Sequence, residues 1–387
     1  MGNIFVDFTV TNFPTRIAFD SSKRATAALA LIREAGAPSH RTKREIVIEP
    51  GDDMFLGQLA LAQMVGEGDT VRLQMGSGAD AFASACLRGG AEVYRIPPRR
   101  VKRLKDKDEL TTLDALEALY GAEPTAFYRV DEKARGIVEL SAAMNTYYHL
   151  QKRFRIPAEQ RMISMERDAR FLLPVNSKEL EQDDLLRRTL LETTAKWEGI
   201  WYRRVEKLCK QNPFIRDYLL SIQGVGPMIS ARIVSTASAV ERFDSENNFV
   251  SYFGYDVHSG RAPRMRRGED LGYNPKGQQG VWNFPTYIQK AKGTPLNELL
   301  TARREYLKEK YPDQTPAWCM RTANRWLGAQ LLNRVYYCWK HYNEQLSGQP
   351  YPWELLQRTE DMDAMVECWR QGAERERLLA ESRALVS

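Results

Sequence analysis

Three acids stand where an acid is costly. Asp7 interrupts the apolar run from Ile4 to Val10, Glu49 ends the run Ile46 to Ile48 just before Pro50-Gly51, and Asp114 opens the periodic segment Leu113 to Tyr120. Burying a carboxylate without a partner costs several kcal/mol, so each needs a cation, a metal or a proton. Hard divalent cations such as Mg²⁺ or Mn²⁺ take oxygen ligands and keep several waters, and carboxylates gathered from separate elements are enough to hold them for phosphodiester cleavage. Asp114 and Glu117 are three apart and share a helix face, so both are candidates for the same site. The plainer reading makes Asp114 a first-turn acid that complements the helix dipole and Glu117 its solvated neighbour.

The elements that position these acids follow from periodicity. Short strand patterns are expected over Ile4 to Val10, Ile17 to Phe19, Ile46 to Glu49, Thr70 to Gln74 and Glu92 to Ile96. Helical patterns over Ala25 to Ala35, Asp53 to Val65, Ala79 to Gly89 and Leu113 to Tyr120 alternate with them. Such an order predicts an α/β domain over residues 1–125, with a mixed sheet flanked by helices. Gly76-Ser77-Gly78 lacks the Gly-Lys-Ser/Thr of a nucleotide-binding phosphate loop and reads as a turn.

From Glu132 to Asp217 the pattern becomes long, charged and helical. Leu185, Leu186, Leu190, Leu191, Trp197, Ile200, Trp201 and Val205 form an apolar stripe, predicting a helical or coiled-coil arm over 126–217. A compact all-α unit over 218–343 and a charged tail over 344–387 complete the expected organisation, with Trp353 and Trp369 of the tail needing burial. Gln223-Gly-Val-Gly-Pro-Met228 separates an apolar helix end from a small-residue helix. Gly224 and Gly226 there allow close backbone approach, and free amides at the next helix start suit a phosphate.

The chain has 387 residues, a net charge of +6, 43% hydrophobic residues and 10% aromatics, the balance of a protein with several cores rather than a membrane protein. Basic residues concentrate in two clusters, Arg95 to Lys107 (with Arg99, Arg100, Lys102 and Arg103) and Arg261 to Arg267 (with Arg261, Arg264, Arg266 and Arg267), joined in sequence logic by Arg232. Local clusters of this kind favour a polyanion by releasing counterions; a solvated charged face is the alternative. Tyr255, Tyr273 and Trp282 are candidates for stacking on unpaired bases, or for core. Five scattered cysteines without a Cys-x-x-Cys pair, and an N-terminus without a secretory pattern, lead to the expectation of a reducing cytoplasm.

The ordered motifs Val6-Asp7-Phe8, Ile48-Glu49-Pro50-Gly51 and Leu113-Asp114-Ala115 resemble the RuvC-type, RNase H-like domain of RNA-guided insertion-sequence recombinases with a DEDD site. Gly224-Val-Gly-Pro227, Arg242-Phe243, Phe253-Gly254, Ser259-Gly260 and Arg266 to Pro275 resemble their C-terminal domain. The domain order is similar to that of the Tas proteins of tandem-interspaced-guide-RNA systems, which pair a RuvC-like nuclease with a Nop-like helical domain. The resemblance implies Asp7, Glu49 and Asp114 as Mg²⁺ or Mn²⁺ ligands, a guide RNA, a target DNA and a homodimer. It implies an RNA-guided DNA endonuclease or, with Ser259 as nucleophile, a recombinase. A non-catalytic RNA-binding scaffold is the third reading, disfavoured because the three acids persist. Thr111 stands where the DEDD pattern has an aspartate, which leaves Glu117 or Asp108 as candidate fourth ligands.

Overall fold

The computed structural model describes residues 2–7, 15–42, 45–50, 54–173, 177–256 and 272–345. Two compact units divide the chain, Met1–Leu208 and Cys209–Ser387.

The first unit is built on a seven-stranded mixed sheet. Its strands are β1 (Gly2–Asp7), β2 (Thr15–Phe19), β3 (Ser39–Arg41), β4 (Glu45–Ile48), β5 (Asp69–Gln74), β6 (Glu92–Ile96) and β7 (Tyr128–Arg129), in the spatial order β3-β4-β2-β1-β5-β6-β7. β2 is antiparallel to both β1 and β4, while β5 runs parallel to β1, and β6 parallel to β5. Helices α1 (Ser22–Glu34), α2 (Met54–Met64), α3 (Ser77–Arg88), α4 (Pro98–Asp108), α5 (Thr112–Ala122) and α6 (Glu132–His149) connect and cover the strands.

Alternation along the strands sorts their side chains onto two faces. Ile4, Val6, Ile17, Ile46, Ile48, Val71, Leu73 and Val93 join Ala28, Ile32, Leu61, Phe82 and Val138 in one core on the first face. Ile96 of β6 joins Val101 of α4 and Ala115, Leu116 and Leu119 of α5 in a smaller core on the second face, against which Phe5 and Tyr94 pack. The two cores account for the mixed periodicity: Ile4 and Val6 of β1 join the first and Phe5 packs on the second, before Asp7.

Asp7 is the last described residue of β1, and residues 8–10 of the expected run lie outside those described. Within the basic cluster, Pro98 to Asp108 forms the helix α4, begun by Pro98 at its first position and ended by Glu109 in the left-handed region at φ 52°. Arg95 leaves the basic cluster altogether. It lies on the first sheet face, 3% exposed, paired with Asp80 of α3.

Beyond α6 the helix continues through a π-helical stretch, Leu150–Arg155, into α7 (Ile156–Leu172), and α8 (Lys178–Gln211) follows. The stripe foreseen along α8 is covered only in part: Val205 is buried, and Leu191 and Trp201 are half-buried. Leu185, Leu186, Trp197 and Ile200 are each more than half exposed. Glu198 of α8 accepts hydrogen bonds from Tyr147 (3.0 Å) and Gln151 (3.0 Å) and pairs with Arg155, which ties α8 to the end of α6.

The second unit is all-helical among its described residues: α9 (Pro227–Ala237), α10 (Glu246–Tyr252), α11 (Pro275–Lys290), α12 (Pro295–Lys310) and α13 (Pro316–Gln345). Side-chain caps start three of them, Ser245 on the Asn248 amide (3.3 Å), Asn274 on the amides of Lys276 (3.0 Å) and Gly277 (3.2 Å), and Thr315 on the Trp318 amide (3.2 Å). Its centre is aromatic: Phe249, Phe253 and Phe284 are almost wholly buried. The tail with Trp353 and Trp369 lies outside the described residues. Among those residues no helix is long and apolar enough to cross a membrane.

Candidate active site

Asp7 and Glu49 come to one end of the sheet and to one face of it. β1 and β4 are both antiparallel to β2, so their C-terminal ends share an edge. Asp7 lies opposite Arg16, and Arg16 opposite Val47, so all three point to the second face. Alternation from Val47 carries Glu49 to the same side, where its carboxylate is 3.0 Å from His40 Nδ1. Its backbone amide donates to Pro38 at 2.8 Å, which fixes the strand end. One strand, β2, separates β1 from β4, a spacing of about 10 Å, and Glu49 lies two residues beyond Val47, the residue level with Asp7.

The third acid arrives on α5. Thr111 caps this helix, accepting the Asp114 amide at 3.2 Å, and its hydroxyl donates to Asp114 Oδ2 at 2.6 Å. The adjacent Thr112 accepts from Lys105 Nζ of α4 at 3.1 Å and helps to hold down the Asp7 pKa. The first turn of α5 thus reaches Asp7 and carries Asp114 within the same turn.

Burial pushes the Asp7 carboxyl above its ordinary range; the Thr112 hydrogen bond and the charges of Lys105 and Arg16 oppose this, while Glu45 adds to it. Arg16 is itself paired with Glu45 at 2.7 Å, so much of its charge is already spent. Asp7 is therefore desolvated without a dedicated counter-ion, the condition that a bound cation or substrate relieves. Glu117 of α5 is exposed. Asp108 ends α4 and is exposed as well.

Among the described residues no three His, Cys, Asp or Glu side chains are gathered closely enough to hold a metal on their own. The donors still suit a hard divalent ion that is held by one or two carboxylates and completes its shell with water and phosphate oxygens.

Next to the acids lies a basic surface. On α4, Arg99, Arg100, Lys102 and Arg103 are exposed around the single buried anchor Val101. Arg100 reaches Glu123 at 3.1 Å in an exposed pair, which costs little to exchange for a phosphate. Arg72 of β5, on the same sheet face as Asp7, is spoken for: its guanidinium lies 3.6 Å from the Tyr120 ring centre and donates to Asn3 at 2.6 Å. Sequence reasoning missed Lys105 and Thr112, because a threonine and a lysine in polar helical segments carry no periodic signal.

In the second unit the glycine turn has two different faces. Gly224 adopts φ +79°, and a side chain there would meet Ile288 at 2.6 Å, so its close approach is to the core of its own unit. Gly226, by contrast, caps α9 in open, exposed surroundings. Arg232 of α9 lays its stem into the notch left by Gly280, where a Cβ would come within 2.8 Å of the Arg232 Cβ. Tyr255 is core rather than a stacking platform: it is 3% exposed, packs against Gly328, and burial pushes its hydroxyl up. Trp282 is at the surface. Arg325 of α13 donates to the carbonyls of Gly254 and Asp256 (2.7 Å to the latter), clamping the chain just before residue 257. Asn274, with its amide 2.7 Å from the Tyr252 carbonyl, clamps it where it returns. Ser259, Arg261, Arg264, Arg266 and Arg267 fall between these clamps, outside the described residues.

Residues 216–268 match the model of the transposase IS116/IS110/IS902 family. The start of the second unit is transposase-like. The matched stretch contains the glycine turn, α9, α10, the Arg325-clamped turn and the Ser259-Gly260 pair. No curated protein matches the chain.

Proposed function

We propose that the protein is a transposase-like enzyme that cuts and rejoins DNA, with an RNase H-like (RuvC-type) acid site in the first unit and a nucleophile, Ser259, in the second. The observation that carries this reading is the transposase match over residues 216–268, because the Ser-Gly pair singled out in the sequence falls within it. The strand arrangement supports the rest: four strands in antiparallel array, β3-β4-β2-β1, continued by parallel β5 and β6, with acids from two strand ends and a helix, are compatible with an RNase H-like domain. In this reading Asp7, Glu49 and Asp114 are the carboxylates that would hold Mg²⁺ or Mn²⁺, one or two to an ion, together with substrate phosphate. The metal supplies Lewis-acid stabilisation of charge on the phosphate. The chain's own part is to orient the carboxylates through Thr111 and Thr112 and to carry the DNA backbone on Arg99, Lys102 and Arg103. Ser259 Oγ displaces one strand end as a free hydroxyl and becomes a phosphoester, and the reverse attack rejoins DNA.

Guide RNA is the proposed source of sequence specificity, held by a Nop-like second unit through Arg232 and the arginines of 261–267, as in other RNA-guided enzymes. A homodimer is supported by the uncovered apolar residues of α7 and α8, such as Ile163, Phe171, Leu186 and Trp197. The second reading, a guide-RNA endonuclease of the Tas type that uses water instead of Ser259, is favoured by one observation: Thr111 in place of an acid. Two measurements separate these readings. Purified protein should carry a small RNA of defined length; absent or random nucleic acid overturns the guide. With Mg²⁺ and matching DNA, the recombinase gives protein-linked DNA that Ser259→Ala abolishes, whereas free 5′-phosphate ends unaffected by that substitution establish the nuclease.

A further inference from the structure

Charge is divided unevenly among the helices of the second unit. α11 contains no Asp or Glu and α13 none before Glu344, so the chain runs from Asp270 to Glu298, and again from Asp313 to Glu344, without an acid between. The bases remain: Lys290 ends α11, Lys292 follows it, and Arg321, Arg325, Arg334 and Lys340 lie on α13. An ordinary solvated helix mixes both signs, as α12 does with Glu298, Glu305 and Glu309 beside Arg304, Lys308 and Lys310. Two packed helices that keep their bases and omit their acids present a field suited to a polyanion.

Where α11, α12 and α13 meet, Arg304 sits half-buried beside Asn324, which is 4% exposed. Gln289 of α11 donates to Asn324 Oδ1 at 2.7 Å and fixes that amide; the Arg304 guanidinium donates to the same oxygen at 3.5 Å. This long, shared contact is the one hydrogen bond of Arg304 among the described residues, and its Nε is buried without an acceptor. Glu298, Glu305 and Glu309 stand six, one and five residues away on α12, none at the three- or four-residue spacing that faces a neighbour on a helix. Burial therefore pulls the Arg304 pKa down with no neighbouring charge to oppose it. Arg325 is different, since it donates to the carbonyls of Gly254 and Asp256 and lies over the Tyr255 ring. Around Arg304, three bases are exposed and outside any ion pair among the described residues: Lys290 next to Gln289, Lys292, and Arg321 one turn before Asn324.

We propose that Arg304, backed by Gln289 and Asn324 and flanked by Lys290, Lys292 and Arg321, seats a backbone phosphate of a nucleic acid. A phosphodiester supplies the acceptors that the guanidinium lacks, and in the geometry of its fork. A small anion would call for Arg304 alone, whereas acid-free runs on two helices match a ligand whose charge repeats along a strand. The inference rests on the reading of the protein as an enzyme of nucleic acids. It needs neither the acid site nor Ser259, and it adds a surface separate in sequence from the arginines of 261–267.

The test is fluorescence anisotropy of the full chain, freed of copurified nucleic acid, with a single-stranded RNA and a duplex DNA of random sequence, titrated across salt concentrations. Arg304→Met should weaken binding of at least one probe about tenfold and reduce the slope of log affinity against log salt by about one. Its Tm should be unchanged or raised, because a desolvated arginine without a counter-ion adds nothing to folding. Arg304→Lys, which keeps the charge, should keep the wild-type slope. The probe that responds identifies the kind of strand held. The double substitution of Lys290→Ala and Arg321→Ala, at exposed positions, should lower the slope by about two, while Lys23→Ala in the first unit should leave it unchanged. Wild-type affinity and slope in both Arg304→Met and the double variant overturn the inference alone. A lowered Tm in Arg304→Met with wild-type binding gives Arg304 a structural role and overturns it as well. A wild type that binds neither probe overturns the reading of the protein, and the inference with it.

Discussion

The two faces of the sheet manage a buried acid in opposite ways. On the first face Asp80 of α3, 2% exposed, pairs with Arg95 of β6 and accepts the Ser141 hydroxyl of α6, so both of its oxygens are satisfied by groups that belong to the core. On the second face Asp7 is desolvated too, yet its partners are a hydroxyl and cations held at a distance or shared with Glu45. A fully matched carboxylate locks three elements together and has nothing left to offer a ligand. One that is short of counter-charge pays in stability and gains affinity for whatever cation arrives.

That contrast has a large consequence at Asp80. Asp80→Ala leaves Arg95 charged and unpaired in the core, and the first unit should lose about 3–5 kcal/mol, read by denaturant unfolding. Replacing the pair together, as Asp80→Leu with Arg95→Met, should recover most of that loss. If the single substitution proves neutral, the distinction between the faces fails.

Asp7→Asn should act in the reverse sense and more weakly. Burial raises the Asp7 pKa, so its contribution to stability is full at pH below the ordinary carboxylate value and is lost as pH rises through the raised one. Without divalent metal, Asp7→Asn should therefore unfold a few degrees higher than wild type at neutral pH, the gap closing as the solution is acidified. Added Mg²⁺ should raise the Tm of wild type and leave that of Asp7→Asn unchanged.

The smallest effect concerns Cys86, in the core of the Asp80 face. Burial pushes its thiol up to about 12, so iodoacetamide should not label it in the native protein at pH 8. Labelling in Asp80→Ala but not in Asp7→Asn would sharpen the comparison by locating the opening on one face.

The strands around the acids were legible because alternation needs only a few residues: Ile4 and Val6 against Phe5 and Asp7, Ile46 and Ile48 against Val47 and Glu49. That both acids share a face follows from their register with Arg16, and no linear pattern states it. α4 was hidden because Pro98 to Asp108 offers only Val101 and Leu104 as apolar positions, too few for a periodic signal. Asp80 and Arg95 are fifteen residues apart in sequence, and only the fold brings them together in the core. The α8 stripe was readable as apolar, but whether anything covers it is decided by tertiary packing: Leu185 and Leu186 stay exposed, whereas Val205 on the same helix is buried.

The central claim is that the under-compensated Asp7 end of the sheet performs the DNA chemistry. Its most direct test is DNA strand scission in Mg²⁺ by the guide-loaded wild type, Asp7→Asn and the Lys23→Ala surface control, with folding verified by Tm. Wild type and Lys23→Ala should cut at the same rate, while Asp7→Asn, folded and still bound to its RNA, should lose cutting by at least about 10²-fold. Equal cutting by Asp7→Asn and wild type would contradict it.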